Sequence, residues 1–391
     1  MSMFSTGKDN PWYRRVWMVA PLGVLAVALM WVTFLHTSSQ DDLVPAHRTW
    51  TVMGTILEAT VYRPATATAL ASADLEAAHG AVLKIDQLMS LYRSDSELVA
   101  LNTQAGTGPI EVSAATFQVL QASQHYTRLS GGALDVTVQP LVQLWGFYTM
   151  ERNSIPSMEE IQAVLPRVGA DRLELDGSAG TAALATGSRL DLGSIAKGYA
   201  IDQAIAELRA RGVPAALIDL GGNIGVLGQP PSGRPWSVGI KHPREDSLIG
   251  LLRFKEGAIA TSGDYDRYFE VEGQRVSHLL DPRTGFPAED LYSVTVIAPN
   301  ATAADALSTA AFVLGPERGM ALFSDCEDVE GLLIQPDSTH RLLIQTTLPT
   351  RKGSVSFVLE SGTAATLRPT VEETEPSSRP ECVWPLGLEP E

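Results

Sequence analysis

Nine residues, Asp191-Leu192-Gly193-Ser194-Ile195-Ala196-Lys197-Gly198-Tyr199, constrain this chain more than any others. They set a carboxylate, two glycines, a hydroxyl and a lysine around the start of a helix read over residues 191–211. Ile201, Ile205 and Leu208 share one face of that helix, and Gly212 stops it. A helix start offers unpaired backbone N–H groups and the positive end of a dipole, which suits phosphate. The same run also reads as a capped helix whose glycines only permit close packing, and taken alone it balances the two.

Residues 16–35 carry no charge over twenty positions. At about 1.5 Å per residue that length spans a hydrocarbon core of roughly 30 Å. Arg14 and Arg15 precede it and Asp41 and Asp42 follow it. The positive-inside rule therefore makes residues 1–15 a cytoplasmic N-terminus, 16–35 a transmembrane anchor and everything beyond His36 extracytoplasmic. The apolar stretch exceeds a signal-peptide core and lacks a small-x-small site after it, so an uncleaved anchor is expected. The formal net charge of −16 excludes nucleic acid as a partner, because no basic surface is available to neutralise a phosphate backbone. Cys326 and Cys382, the only cysteines, are too few for a disulfide framework or a thiolate metal site.

After a linker over 36–46, a strand is expected at 51–62, then a helix with Val82, Ile85 and Met89 on one face. A second helix starts at Ser113 and stops at Gly131-Gly132. Strands are expected at 215–220, 236–240, 248–254, 265–271, 331–334 and 342–345, with a helix over 303–314. Helices and strands mix without a βαβ repeat, so one α+β domain over 47–350 is expected. Beyond Ser361 come five prolines and six acidic residues, and the tail over 351–391 is expected to be disordered.

Three further stretches bear chemistry. Asp305 and Thr309, four apart in a helix, present a carboxylate and a hydroxyl on one face, a pair of hard oxygens suited to Mg²⁺. Alternatively, Asp305 caps its helix and Thr309 bonds back to the carbonyl of residue 305. His278, in Ser277-His278-Leu279-Leu280-Asp281-Pro282-Arg283-Thr284-Gly285, sits at a strand end before a tight turn, where a neutral imidazole can serve as a general base. It equally fits a structural histidine satisfied by strand partners. Gly221-Gly222-Asn223-Ile224-Gly225 follows a strand, but no helix follows it, so a dinucleotide fingerprint is rejected. Ser194-Ile195-Ala196-Lys197 matches the S-x-x-K pattern of penicillin-interacting enzymes, but no S-x-N or Y-x-N element lies between it and Arg283-Thr284-Gly285.

Over residues 47–345 the ordered motifs resemble those of the ApbE family, the periplasmic FAD:protein FMN transferases. They are Met53-Gly54-Thr55, Leu88-Met89-Ser90-Leu91-Tyr92, the block over 133–138, DLGSIAKGYAID from Asp191, SHLLDPRTG from Ser277 and ADALSTA from Ala304. The resemblance implies an ApbE-like flavin transferase domain behind the N-terminal anchor, at a bacterial inner membrane with the catalytic domain in the periplasm. It implies FAD as substrate, lined by Met53, Tyr92, Leu134, Asp135, Val136, Asp191, Lys197 and Leu280. It implies Mg²⁺ on Asp305, Thr309 and an oxygen of Ser194, and His278 as the base for a serine or threonine hydroxyl of an acceptor flavoprotein. Three departures stand out. Ser194 replaces a frequent glycine or alanine, Asn223 replaces a frequent aspartate, and a helix replaces the lipobox cysteine. The rival functions are an FAD pyrophosphatase, a non-catalytic flavin-binding module and the S-x-x-K enzyme.

Overall fold

The computed structural model describes residues 43–149, 154–271, 273–339, 341–348, 356–359, 363, 365–369 and 382–386. The expected anchor over 16–35 lies outside them; among the described residues no helix is long and apolar enough to cross a membrane. The chain divides into two units. One comprises residues 45–63 and 67–391; of the other, 1–44 with 64–66, only 43, 44 and 64–66 are described.

The centre of the fold is a nine-stranded sheet whose spatial order follows the chain. Its strands are β1 (Leu43–Val52), β2 (Thr55–Pro64), β3 (Ala215–Leu220), β4 (Asn223–Leu227), β5 (Gly257–Gly263), β6 (Ser293–Ala298), β7 (Glu330–Pro336), β8 (Leu342–Thr346) and β9 (Ala365–Pro369). From β2 to β8 neighbours run antiparallel; β9 lies parallel to β8. β1 and β2 turn at Met53-Gly54 with φ of 53° and 70°. Both central residues are thus left-handed, as the two-residue turn that matches strand twist requires.

Strand alternation sorts the side chains into two layers. Leu57, Ala59 and Val61 of β2 and Ile218 of β3 face three helices: α1 (Thr68–Met89), α2 (Ala196–Ala210) and α3 (Ala301–Asp325). On the other face, Ile224 and Val226 of β4, Ile259 of β5 and Ile297 of β6 meet a small three-stranded sheet through Trp236, Leu252 and Phe254. β6, covered on both faces, is buried at every position. The α+β expectation therefore holds, as helices on one face of a mainly antiparallel sheet.

Several local signals are realised. Ser113 accepts from Thr116 N at the start of the helix Ala114–Leu129, and that helix ends at Gly131-Gly132 with φ of 59° and 83°. The expected end of α3 near 314 is a kink instead: Gly315 has φ of 78°, and helix resumes from Pro316. α2 starts at Ala196, not at 191; residues 193–195 form turns.

Within the tail, the described residues depart from the expected disorder. Cys326 and Cys382 form a disulfide, residues Ser356–Leu359 join the small sheet beside Leu248–Phe254, and Ala365–Pro369 is β9. Composition alone misses this because a covalent tie and one sheet edge need few apolar residues. Around the disulfide, the Cys382 carbonyl pairs with His125 Nε2 and Trp384 N donates to Tyr126 Oη at 3.2 Å. Closing a loop across 56 positions restricts the unfolded chain by about 4 kcal/mol. Cys382→Ser is accordingly expected to lower the melting temperature by roughly 6 °C. An unchanged melting curve for Cys382→Ser would show that the bond contributes nothing.

Candidate functional site

One cavity of about 490 Å³, within the range of small-molecule sites, opens at the β1–β2 turn. Met53, Tyr92, Leu134, Asp135, Asp191, Ser194, Lys197, His278, Leu280, Asp305 and Thr309 all line it. Val136 does not. Its side chain is buried in the core, and its carbonyl accepts Asp191 N at 2.7 Å, so it positions a lining residue and does not line the cavity itself.

The polar centre forms where α2 meets α3. Asp305 is 3% exposed; its Oδ2 accepts Gly198 N at 2.9 Å and its Oδ1 accepts Lys197 Nζ at 3.3 Å. Asp305 therefore caps the neighbouring helix and not its own, and its charge sits at the positive end of α2. The open phosphate seat expected at that helix start is in part taken by this carboxylate. Gly198 makes the approach possible, because a Cβ there would lie 2.2 Å from Ala301 O. From the same motif, Asp202 holds the first turn of α3. It accepts Ala301 N and Thr302 N, each at 2.8 Å, and burial pushes its carboxyl up to about 6. Thr309 does not bond back to residue 305; Ser308 Oγ does, at 2.9 Å. Thr309 Oγ1 instead lies 3.2 Å from Ser262 Oγ.

His278 sits half-buried at the end of the strand Gln274–Ser277. The carbonyl of Arg267 accepts its backbone N–H and pairs with its Nδ1, each at 3.1 Å. With Nδ1–H donating to a carbonyl, the lone pair falls on Nε2. Burial, then the charges of Arg267 and Lys197, push the imidazole down to about 4, so it is neutral near pH 7. The unfolded chain takes up this proton near 6.5, the folded one near 4. Its contribution to stability is thus complete above pH 6.5 and is lost as pH falls from 6.5 to 4.

Asp191 is braced on both oxygens. Oδ1 accepts Gly193 N at 2.8 Å and Oδ2 accepts Tyr148 Oη at 2.5 Å. Asp135 is buried, with Oδ1 accepting Thr137 N and Oγ1, and desolvation raises its carboxyl above the usual range. Tyr92, 71% exposed, supplies an aromatic face to the lining. Leu134 and Leu280 are buried in its walls. Met53 holds a left-handed backbone uncommon outside glycine. Trp145 Nε1 donates to Gly285 O at 2.8 Å, joining the segment around Trp145 to the Asp281–Gly285 turn.

The donor set fits Mg²⁺. Asp305, Thr309 and Ser194 bring hard oxygens to one cavity, and Mg²⁺ binds through one or two carboxylates plus substrate phosphate and water. Among the described residues no group of three or more His, Cys, Asp or Glu forms a metal cage, so substrate phosphate would complete the shell.

Several lining residues carry no signal of their own in the sequence: Tyr148, Thr261, Asp266 and Arg267. Ser262, legible only as part of a turn, is the penultimate residue of β5. Tyr148 directly follows Leu144-Trp145-Gly146-Phe147, an apolar and aromatic run that could have exposed it. Nothing local marks Arg267.

The chain is similar to known proteins over most of its length. The model described as the ApbE family matches residues 53–333. A curated FAD:protein FMN transferase of Treponema pallidum (strain Nichols) is 36% identical over 330 residues, covering 79% of this chain and 90% of its own length. The crystal structure of the ApbE protein from Thermotoga maritima MSB8 aligns with TM-score 0.69 at 33% identity, covering 75% of this chain and 94% of that one. The flavin transferase ApbE from Vibrio cholerae aligns with TM-score 0.67 at 29% identity, covering 82% and 98%.

Proposed function

This chain belongs to the ApbE family, and from that premise we propose that it is an FAD:protein FMN transferase. The reaction moves FMN from FAD to a serine or threonine hydroxyl of an acceptor flavoprotein, with AMP as the second product. The observation that carries this reading is the cavity in which Asp305, Thr309 and Lys197 share a lining with a neutral His278.

His278 Nε2 takes the hydroxyl proton. The hydroxyl oxygen forms a bond to the phosphorus on the FMN side, the bond from that phosphorus to the bridging oxygen breaks, and AMP departs with that oxygen. Asp305, Thr309 and an oxygen of Ser194 would hold Mg²⁺, which would supply charge neutralisation on the phosphate oxygens when bound. Lys197 adds a second positive charge beside Asp305. Tyr92, Met53, Leu134 and Leu280 offer aromatic and apolar surface for a flavin.

Residues 16–35 would anchor the domain in the bacterial inner membrane with its cavity in the periplasm. The buried Cys326–Cys382 disulfide supports that side, because such bonds persist in oxidising compartments.

The test incubates the chain with FAD, Mg²⁺ and an acceptor flavoprotein domain. Flavin fluorescence that stays on the acceptor through denaturing electrophoresis, with stoichiometric AMP, supports transfer; AMP without labelled acceptor means hydrolysis instead. His278→Ala should lower transfer by about 10²–10⁴-fold. In the parent, kcat/KM should stay flat on the acid side until pH approaches about 4, the position of His278 in the free protein. An acid limb near 6.5 would show an imidazole open to solvent.

A further inference from the structure

Arg267 lines the cavity with its side chain exposed, and no carboxylate pairs with it among the described residues. Its neighbours differ. Arg244 forks onto Asp264 at 2.8 and 2.6 Å, Arg275 lies 3.8 Å from the same carboxylate, and Arg283 holds Asp281 at 2.8 Å. In a chain of net charge −16, an unpaired guanidinium at the cavity has a free donor fork suited to an anion. Its place is set by its own backbone, since the Arg267 carbonyl is the group that clamps His278. The side chain therefore springs from the same residue that aims the base.

We propose that Arg267 is a catalytic residue that donates to a non-bridging oxygen of the phosphorus under attack. This rests on the transfer reaction above. The oxygen that loses its proton to His278 Nε2 is the one that bonds to that phosphorus, so a cation beside His278 lies beside the reacting phosphate. Asp305 and Thr309 serve the diphosphate from the α3 side. As the new P–O bond forms and the bridging bond breaks, charge grows on the equatorial oxygens, and a guanidinium there acts on the transition state more than on bound FAD.

The side chain can be removed without touching the carbonyl that holds His278. Arg267→Ala, with its melting temperature checked against the parent, should lower kcat by at least about 100-fold while KM for FAD moves less than about threefold. Arg267→Lys, which keeps the charge and loses the fork, should recover part of that loss. Guanidinium added to Arg267→Ala at non-denaturing concentration should recover part as well. A kcat within about threefold of the parent, a loss confined to KM, or a loss that neither guanidinium nor lysine restores overturns the assignment. A parent protein that releases no AMP from FAD overturns the transferase reading itself, and this assignment with it; with an active parent, the variants bear on Arg267 alone.

Discussion

Asp305→Asn is expected to cut AMP release from FAD by at least about 100-fold while leaving the melting temperature close to that of the parent. Asp305→Ala should lose about a thousandfold, near 4 kcal/mol of transition-state stabilisation. The two variants separate two duties of one carboxylate. Oδ2 accepts the buried Gly198 N–H at 2.9 Å, a bond that an asparagine oxygen can keep. Alanine leaves that N–H without an acceptor, at a cost of about 1–3 kcal/mol of stability. Oδ1 faces Lys197 and the cavity, where its negative charge would hold the proposed Mg²⁺. Loss of activity with the fold intact in Asp305→Asn therefore reports the metal. If Asp305→Asn kept more than a tenth of the parental rate in Mg²⁺, the carboxylate would be a helix cap and nothing more. Steady-state AMP release over a magnesium titration, with thermal melts alongside, decides between them.

Gly198→Ala should be the most damaging methyl group that can be added to the site. Its Cβ would meet Ala301 O at 2.2 Å, Ala301 C at 2.6 Å and Thr302 Cα at 2.8 Å. These are backbone atoms and cannot rotate away, so α2 and α3 must part by roughly 1 Å to reach ordinary contact. Overpacking of this kind costs about 3 kcal/mol, or roughly 5 °C in melting temperature for a domain of this size. The same parting draws Asp305 from Gly198 N and Asp202 from the first turn of α3, displacing the proposed metal ligands. A misplacement of that order lowers rate by about 100-fold. Gly80, within α1, has open space where its Cβ would go, so Gly80→Ala serves as the control and should be neutral or slightly stabilising. Equal melting temperatures for Gly198→Ala and the parent would contradict the tight crossing.

Much of the site is legible without the fold because its residues sit in dense local runs. The Asp191–Asp202 motif, the turn after His278 and the small-residue start of α3 each carry their own chemistry within a dozen positions. Helix caps such as Ser113 and the stop at Gly131-Gly132 are equally local. Expectation and structure part where a partner lies far along the chain. Asp305 caps α2 across 107 positions, and the disulfide pins a proline-rich tail across 56. Val136, which the resemblance places along the flavin, sits in a turn with its side chain in the core.

The amino-acid order by itself determined which groups this protein brings to its chemistry: a helix start with lysine, a histidine before a tight turn, and a carboxylate and hydroxyl one turn apart. Local spacing sets those features, since caps, turns and helical faces depend on residues a few positions away. Only the tertiary structure decided what each group touches. The sheet and the glycine-permitted crossing of two helices bring Asp305 onto Gly198 and Lys197. The Arg267 carbonyl selects the tautomer of His278. Such pairings span many tens of residues or depend on backbone atoms, and no side-chain pattern in the chain encodes them.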